Sequence, residues 1–455
     1  MATPQGAPGR WRVLIAPDAF KGSLTASAAA QAIAAGWRLQ RPQDWLDLCP
    51  LADGGDGFGP VLAQWLGAEP RRCTTVDAAG RPRRATWWWA SAPRLSGPMA
   101  PLPLVSASAP ASLAIVESAE VIGLALLPAA LRHPLPLDDV APPAVHQSPP
   151  AHGGPHSNDF DSTGPDRSGL DGSGLQSWGL DSRGLAPLLL AAAQAGAQRL
   201  LIGLGGSATN DGGFGLARAL GWRFFDAKGA PIHRWADLER LERLEPPSRP
   251  PSLPELDIAV DVRNPLLGPE GATAIYGPQK GLTAEQLPRA EACLRRLAQC
   301  LEPLHPGVAE RPGSGAAGGL GYGLQVFCGG RLRPGAALVA EHCGLEPRLQ
   351  AADLVIAGEG RFDVQSLMGK GTGGLLRRAR RAGKPSLLLV GQLEPLALRQ
   401  AQAEASAQGC AVLARALVPD LTDLDQACAA PALWLERLAQ RAARDVSALS
   451  PDNLP

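Results

Sequence analysis

Short apolar runs, each ending in a cluster of Gly, Asp, Pro or Ser, recur along the chain. Trp11-Arg12-Val13-Leu14-Ile15-Ala16 is the first, and it predicts a strand buried on both faces. A polar loop, Pro17–Ser23, and an Ala-rich helix from about Thr25 to Leu39 follow it, which is the opening of an α/β unit. The same pattern returns at Leu46–Leu48, Arg199–Ile202, Leu256–Val260, Asp353–Ala357, Ser386–Gly391 and Ala411–Leu413. From about Arg71 to Ala119 the character changes. Cys73–Asp77, Ala85–Ala90 and Ala114–Glu117 read as strands joined by Gly/Pro turns, so a second domain richer in strand is expected, with Trp87, Trp88 and Trp89 packing on its sheet. Residues 133–180 hold too few apolar side chains to offset ordering entropy and predict a disordered insertion. A helix over 186–195 leads back into the folded chain.

Composition narrows the class. The 455 residues are 45% hydrophobic and 19% charged with a formal net charge of +0, as in a soluble globular protein of about two domains. Neutrality gives no reason to expect nucleic acid or an anionic membrane as partner. No apolar run is long enough to span a bilayer, and the N-terminus lacks the apolar stretch of a secretory signal, so a cytoplasmic location is expected. Eight scattered cysteines without a C-x-x-C pair read as reduced, buried thiols, and the histidine spacings argue against zinc. Five of the 43 basic side chains are lysines. Lys21, Lys280 and Lys370 each precede a glycine inside a motif, where a compact ammonium suits a phosphate.

The chemistry centres on Gly203–Gly215, GLGGSATNDGGFG, between a strand and a helix. Six glycines in thirteen residues point to a tight turn whose N–H groups approach an anion, with Ser207, Thr209, Asn210 and Asp211 beside it. Gly203, Gly205 and Ala208 also fit the dinucleotide fingerprint, with Asp226 near the ribose position, so this stretch alone leaves kinase and dehydrogenase equally open. Asp18 and Lys21 stand at the carboxyl end of the first strand. Asp53 and Asp56 among three glycines could hold a hydrated Mg²⁺, and their spacing excludes an EF-hand. Asp261 ends another strand, and Tyr276–Gly281 is a rigid turn presenting Gln279 and Lys280. Pro312–Gly321 lacks a preceding strand, which fits close packing or backbone approach to a ligand. Gly358, Glu359, Arg361 and Asp363 cluster at a further strand terminus, with Gln365, Ser366 and Lys370 close behind. The spacing is not that of a Walker A loop.

Taken in order, these motifs resemble those of the bacterial type I glycerate kinases. The resemblance rests on Ala16–Leu24, Ala52–Gly57, Gly203–Gly213, Asp261 with Asn264-Pro265-Leu266, Gly277–Gly281, Gly313–Gly321 and Gly358–Lys370. It implies an α/β fold in which a Rossmann-like parallel-sheet domain, residues 1–70 and 282–446, is interrupted by a swivelling α+β domain over 71–281, with a flexible tail at 447–455. It implies transfer from ATP, with Mg²⁺, to D-glycerate, the 2-phospho product being favoured, by a monomer or a homodimer. On this basis Asp211 is the expected base with Asp363 second. Lys21 and Lys280 neutralise the transferring oxygens, and Arg361 holds the substrate carboxylate. Gly205, Gly206, Ser207, Asn210, Gly358 and Lys370 are assigned to the nucleotide, Asp18, Thr209 and Gln279 to substrate, and Asp53, Asp261 and Glu359 to the metal. A dinucleotide-dependent oxidoreductase and a catalytically silent homologue stand as alternatives. The sequence departs from the family pattern at Ala19, Asp56-Gly57-Phe58, Ala357, Ser366 and, most visibly, Asp181-Ser182-Arg183-Gly184, where hydroxyl side chains are missing.

Overall fold

The structure is a computed structural model that describes residues 10–91, 112–128, 177–367 and 371–447. Two sheets organise it. The first is parallel and five-stranded, in the order β13-β12-β11-β1-β2. Its strands are β1 (Arg12–Ile15), β2 (Trp45–Leu48), β11 (Leu354–Phe362), β12 (Ser386–Leu393) and β13 (Val412–Val418). The second is six-stranded, in the order β10-β9-β6-β5-β4-β3. It comprises β3 (Glu69–Val76), β4 (Pro82–Ala90), β5 (Leu113–Glu117), β6 (Arg199–Gly203), β9 (Glu255–Val260) and β10 (Arg331–Pro334). Its β10-β9-β6-β5 half is parallel, and β3 and β4 add antiparallel strands. A ribbon of β7 (Arg223–Asp226) and β8 (Leu241–Glu245) lies apart.

Alternation along the strands decides which layer each side chain enters. In β1, Val13 and Ile15 join the core under the helices Ala26–Gln40 and Pro431–Ser447, while Leu14 and Ala16 point the other way. In β5, Leu113 and Ile115 share that other layer with Leu14, while Ala114 and Val116 enter a separate core. One apolar layer, containing Phe58, Leu62 and Trp65, is therefore common to both sheets. The tryptophans follow the same period. Trp88 enters the common layer, and Trp87 and Trp89 face the opposite core with ring centroids 6.3 Å apart. The Ala-rich composition of Ala26–Gln40 lets it lie close to the C-terminal helix, and the Thr25 hydroxyl caps it by accepting from Ala28 N at 3.2 Å, worth about 1 kcal/mol.

The expected fold class is what forms, with three corrections of extent. The strand read as Asp353–Ala357 continues through the polar residues to Phe362, because β12 keeps pairing with it as far as Leu393. The boundary expected at 281/282 moves to about residue 334. The helices Leu287–Leu301 and Ala316–Cys328 contribute to cores on the second sheet's side, and β10 pairs parallel to β9. The end of the expected insertion, 177–180, is folded: Trp178 stacks on Trp235 at 4.7 Å and Leu180 is buried. The rest of that insertion from 133, and residues 448–455 of the expected tail, lie outside the described residues. No described helix is long and apolar enough to cross a membrane.

Candidate active site

The loop Asp53–Gly57 joins the carboxyl ends of the two sheets. Upstream, Leu51 N donates to Pro17 O at 2.9 Å, which ties it to the turn after β1. On the other side Gly55 abuts Gly205 beyond β6, and Gly54 abuts Asp261 beyond β9. Four carboxylates collect here. Asp18 is half-buried, its backbone N–H donating to Gly358 O in β11 at 2.8 Å and its Oδ1 accepting from Ala19 N at 2.7 Å. Burial first, then the charge of Asp53 and less strongly that of Asp261, push the Asp18 carboxyl up to about 7, against the Ala19 N–H and the Lys21 ammonium. Burial, with the Asp18 charge behind it, likewise pushes Glu359 up to about 7 against hydrogen bonds from Ser366 and Thr372. Glu359 Oε1 is buried with no hydrogen-bond partner. Asp261 accepts from Ala336 N at 3.3 Å, at the start of the helix Gly335–His342.

Crowded, desolvated carboxylates raise one another's proton affinity, and a divalent cation relieves that repulsion. An all-oxygen donor set suits Mg²⁺. Among the described residues no three acidic, His or Cys side chains are arranged to hold a metal by themselves. A Mg²⁺ held by one or two of these carboxylates would keep waters and complete its shell with phosphate oxygens.

Around this cluster the cationic candidates divide. Lys21 is exposed beside Asp18. The Arg361 side chain is 69% exposed and stands 3.7 Å from Asp363. Asp363, the second candidate base, caps a short helix through Oδ1, which accepts from Gln365 N at 2.9 Å and Ser366 N at 3.3 Å. Gln279 is exposed, and Gly358 lies within the β11–β12 ladder. Lys370 is outside the described residues, but Gly371 begins the next described helix so close to Asp18 that a Cβ there would come within 2.5 Å of Oδ2.

The Gly203–Gly215 loop departs furthest from expectation. Asp211, the expected base, is 0% exposed. Its carboxylate accepts from Ser182 N at 2.9 Å, Ser182 Oγ at 2.7 Å, Gly213 N at 3.1 Å and Gly215 N at 2.9 Å. Ser182 Oγ accepts in turn from Leu216 N at 3.0 Å. The first N–H groups of the helix Phe214–Ala219 are thus taken by protein oxygens, so this helix start offers no cradle to a phosphate or a pyrophosphate. Several of the glycines are contact points after all. Gly213, at φ 82°, would place a Cβ 2.7 Å from Gly323 Cα, so close packing, one of the two roles expected for Pro312–Gly321, reaches on to Gly323 and the central loop. Thr209 and Asn210 are buried, with Asn210 Nδ2 donating to Thr273 Oγ1 at 3.1 Å. Lys280 is 4% exposed, donates to Ser207 Oγ at 2.9 Å and Thr209 O at 2.7 Å, and is brought down to about 7 by burial against the pull of Asp211. Asp211, Lys280, Ser207, Thr209 and Asn210 therefore hold the loop together. Gly205, half-buried, and Gly206, exposed, are the residues of its first turn that face outward.

The departure at Asp181-Ser182-Arg183-Gly184 finds its reason here. Ser182 is the donor to Asp211, and Gly184 leaves space for the Val76 carbonyl. Asp226, the residue that supported a dinucleotide, caps its own turn through Lys228 N and Ala230 N, both at 2.9 Å. Sequence reasoning missed Glu117. It ends β5 as Asp261 follows β9, and the signal that singled out Asp261, an acid at a strand's carboxyl end, was available for it.

Comparison with known proteins gives the family. A model of the family described as "Glycerate kinase family" matches residues 13–139 and 170–447, leaving a gap inside the expected insertion. A glycerate kinase of Halalkalibacterium halodurans is 32% identical over 96% of this chain and 98% of its own length. The glycerate 2-kinase of Escherichia coli K12 is 33% identical over 84% of this chain and 85% of its own. A crystal structure of a candidate glycerate kinase 2 from Salmonella typhimurium LT2 superposes with a TM-score of 0.68 at 29% identity, covering 97% of this chain and 99% of that one.

Proposed function

The chain belongs to the glycerate kinase family, and we propose that it moves the γ-phosphoryl group of ATP, with Mg²⁺, onto the 2-hydroxyl of D-glycerate. The observation that carries this reading is the gathering of Asp18, Asp53, Asp261 and Glu359 at the carboxyl ends of both sheets, with Lys21 exposed beside them. Phosphoryl transfer asks a protein chiefly for positioning and charge neutralisation. Asp53, Asp261 and Glu359 are the residues to hold Mg²⁺, which when bound neutralises charge on the phosphate oxygens. Asp18 replaces Asp211 as the base. It is half-buried rather than sealed, and among the described residues Ala19 N is the one hydrogen-bond donor on its Oδ1, so the carboxylate can face the attacking hydroxyl and accept its proton. Lys21 meets the transferring oxygens, and the exposed Arg361 guanidinium takes the glycerate carboxylate. Gly205 and Gly206 offer backbone N–H groups to the nucleotide, whereas Gly358, buried in β11 with its carbonyl taken by Asp18 N, does not. Lys280 and Asp211 act by keeping the central loop in shape.

The test is ADP release from ATP with D-glycerate and Mg²⁺, with ³¹P NMR of the product. A phosphomonoester on O2 is the expected result. A product on O3 would overturn the regiochemistry, and folded protein without turnover would overturn the reaction.

A further inference from the structure

We infer that Glu117 is a positioning residue for this reaction: it pins the Asp53–Gly57 loop to the second sheet and so sets where Asp53 meets the other carboxylates. The inference rests on the proposed role of Asp53. Glu117 ends β5 and is buried, and both its oxygens are used. Oε1 accepts from Gly57 N and Oε2 from Gly59 N, each at 3.0 Å. These N–H groups open the helix Phe58–Leu66, whose own N-cap, Gly57, has no side chain to satisfy them. The cap thus comes from the other sheet, 60 residues further along the chain.

Besides this cap, the loop is tied upstream by the Leu51 N bond to Pro17 O and downstream by the buried Phe58 ring. Between them Gly54 packs on the Asp261 carboxylate and Gly55 on the Gly205 backbone, which resists approach but not separation. The Glu117 fork holds the loop in. Retaining a carboxylate there is costly: burial, and the charges of Asp56 and Glu120, push it up to about 7, and only the two N–H groups oppose them. A plain helix cap would not need that charge. A side chain that must span two N–H groups from a neighbouring sheet does, because a carboxylate offers an acceptor at both atoms whereas a carboxamide turns one into a donor.

The test uses the full chain with Glu117→Gln and Glu117→Asp, comparing ATP- and glycerate-dependent turnover, the Mg²⁺ concentration for half-maximal rate, thermal melting and hydrogen exchange over residues 52–60. For Glu117→Gln we expect kcat to fall about 10-fold or more and half-saturation by Mg²⁺ to rise roughly fivefold, with the glycerate KM within about twofold, the range for loss of a supporting contact. Glu117→Asp, which keeps the charge but shortens the reach, should recover part of kcat. Unchanged kcat and Mg²⁺ dependence in a variant whose loop amides exchange faster would overturn the inference. So would a loss of rate that only tracks the loss of folded protein. Should Glu117→Gln fail to fold, exchange in the wild-type chain decides, since Gly57 and Gly59 amides that exchange like open loop would overturn it. A wild-type chain with protected amides but no turnover would overturn the proposed reaction instead.

Discussion

Asp18 and Asp211 both follow a buried strand and precede a helix, each with a lysine nearby, yet their surroundings differ in one respect that decides what they can do. Asp211 has four hydrogen bonds from its own unit, two of them from Ser182 and two from the loop it closes. The Asp18 carboxylate accepts from the adjacent Ala19 N–H and otherwise faces Asp53, Asp261 and Glu359. Its partner lysine is exposed, whereas Lys280 is sealed against Ser207 and Thr209. A carboxylate whose lone pairs are filled by N–H and O–H groups is a joint. One held among like charges and only half-buried is suited to take up a cation or a proton. The comparison breaks if exchanging the two acids for amides gives the same result.

The largest expected effect is on turnover. Asp18→Asn should lower kcat on the order of 10²- to 10⁴-fold, as for loss of a base at the reacting hydroxyl, without lowering the melting temperature of metal-free protein. Asp211→Asn should leave the specific activity of its folded fraction within a few fold but cost roughly 1–3 kcal/mol of stability, because a carboxamide cannot accept at both atoms. Steady-state kinetics and denaturant titration on the same preparations separate the two. Catalytic loss without destabilisation in Asp211→Asn would return the base to that residue.

The two regions also pull stability in opposite directions with pH. Asp18 and Glu359 ordinarily titrate at 3.8 and 4.5 but are raised to about 7 in the fold. The fold then binds their protons more tightly than the unfolded chain does. Their stabilisation is fully present below about 4 and is lost as pH rises to about 7. Lys280 runs the other way: lowered from 10.5 to about 7, it is neutral more readily in the fold, so its contribution to stability grows as pH rises from about 7 to 10.5. In metal-free protein, Asp18→Asn should flatten the acid-side slope and Lys280→Met the alkaline one. A single slope lost in both variants would mean the regions are one titrating unit.

This contrast explains what could be read from the chain. The strands and their polar ends were legible because period-2 alternation and the Gly/Asp punctuation are local, and β1, β6, β9 and β12 lie within a residue or two of expectation at most ends. The gathering of Asp18, Asp53, Asp261 and Glu359 was legible as separate motifs. The roles inside Gly203–Gly215 were not. Whether Asp211 is a base or a joint depends on Ser182, 29 residues earlier, and whether Lys280 reaches a phosphate depends on a hydroxyl 73 residues before it. A glycine count says that backbone comes close to something. Gly213 against Gly323 shows the something can be another glycine. Glu117 carried the local signal of an acid at a strand's carboxyl end, but its partners at Gly57 and Gly59 are set by how the sheets meet.

Arg361 tests the exposed side of the comparison. If its guanidinium takes the glycerate carboxylate, Arg361→Ala should raise the glycerate KM about 10-fold, the value of one charge-assisted contact, and leave kcat within about twofold. Its loose 3.7 Å approach to Asp363 leaves little folded-state energy to lose, so melting should not move. An unchanged KM would place the carboxylate elsewhere.

The smallest effect concerns Ser182, in the stretch that looked most altered by sequence. Its hydroxyl donates to Asp211 Oδ2 and accepts from Leu216 N, both inside the sealed region and away from Asp18. Ser182→Ala removes one neutral donor and one acceptor while the Ser182 N–H bond to Asp211 persists, so it should cost about 1 kcal/mol of stability. It should also leave kcat and both substrate KM values unchanged at a temperature where the protein is fully folded. That outcome would place the altered segment in the scaffold and take away the sequence-based argument for a silent homologue. A drop in kcat without a drop in stability would mean that Ser182 acts on substrate in a form of the protein where this region opens, and the division between joint and site would have to be redrawn there.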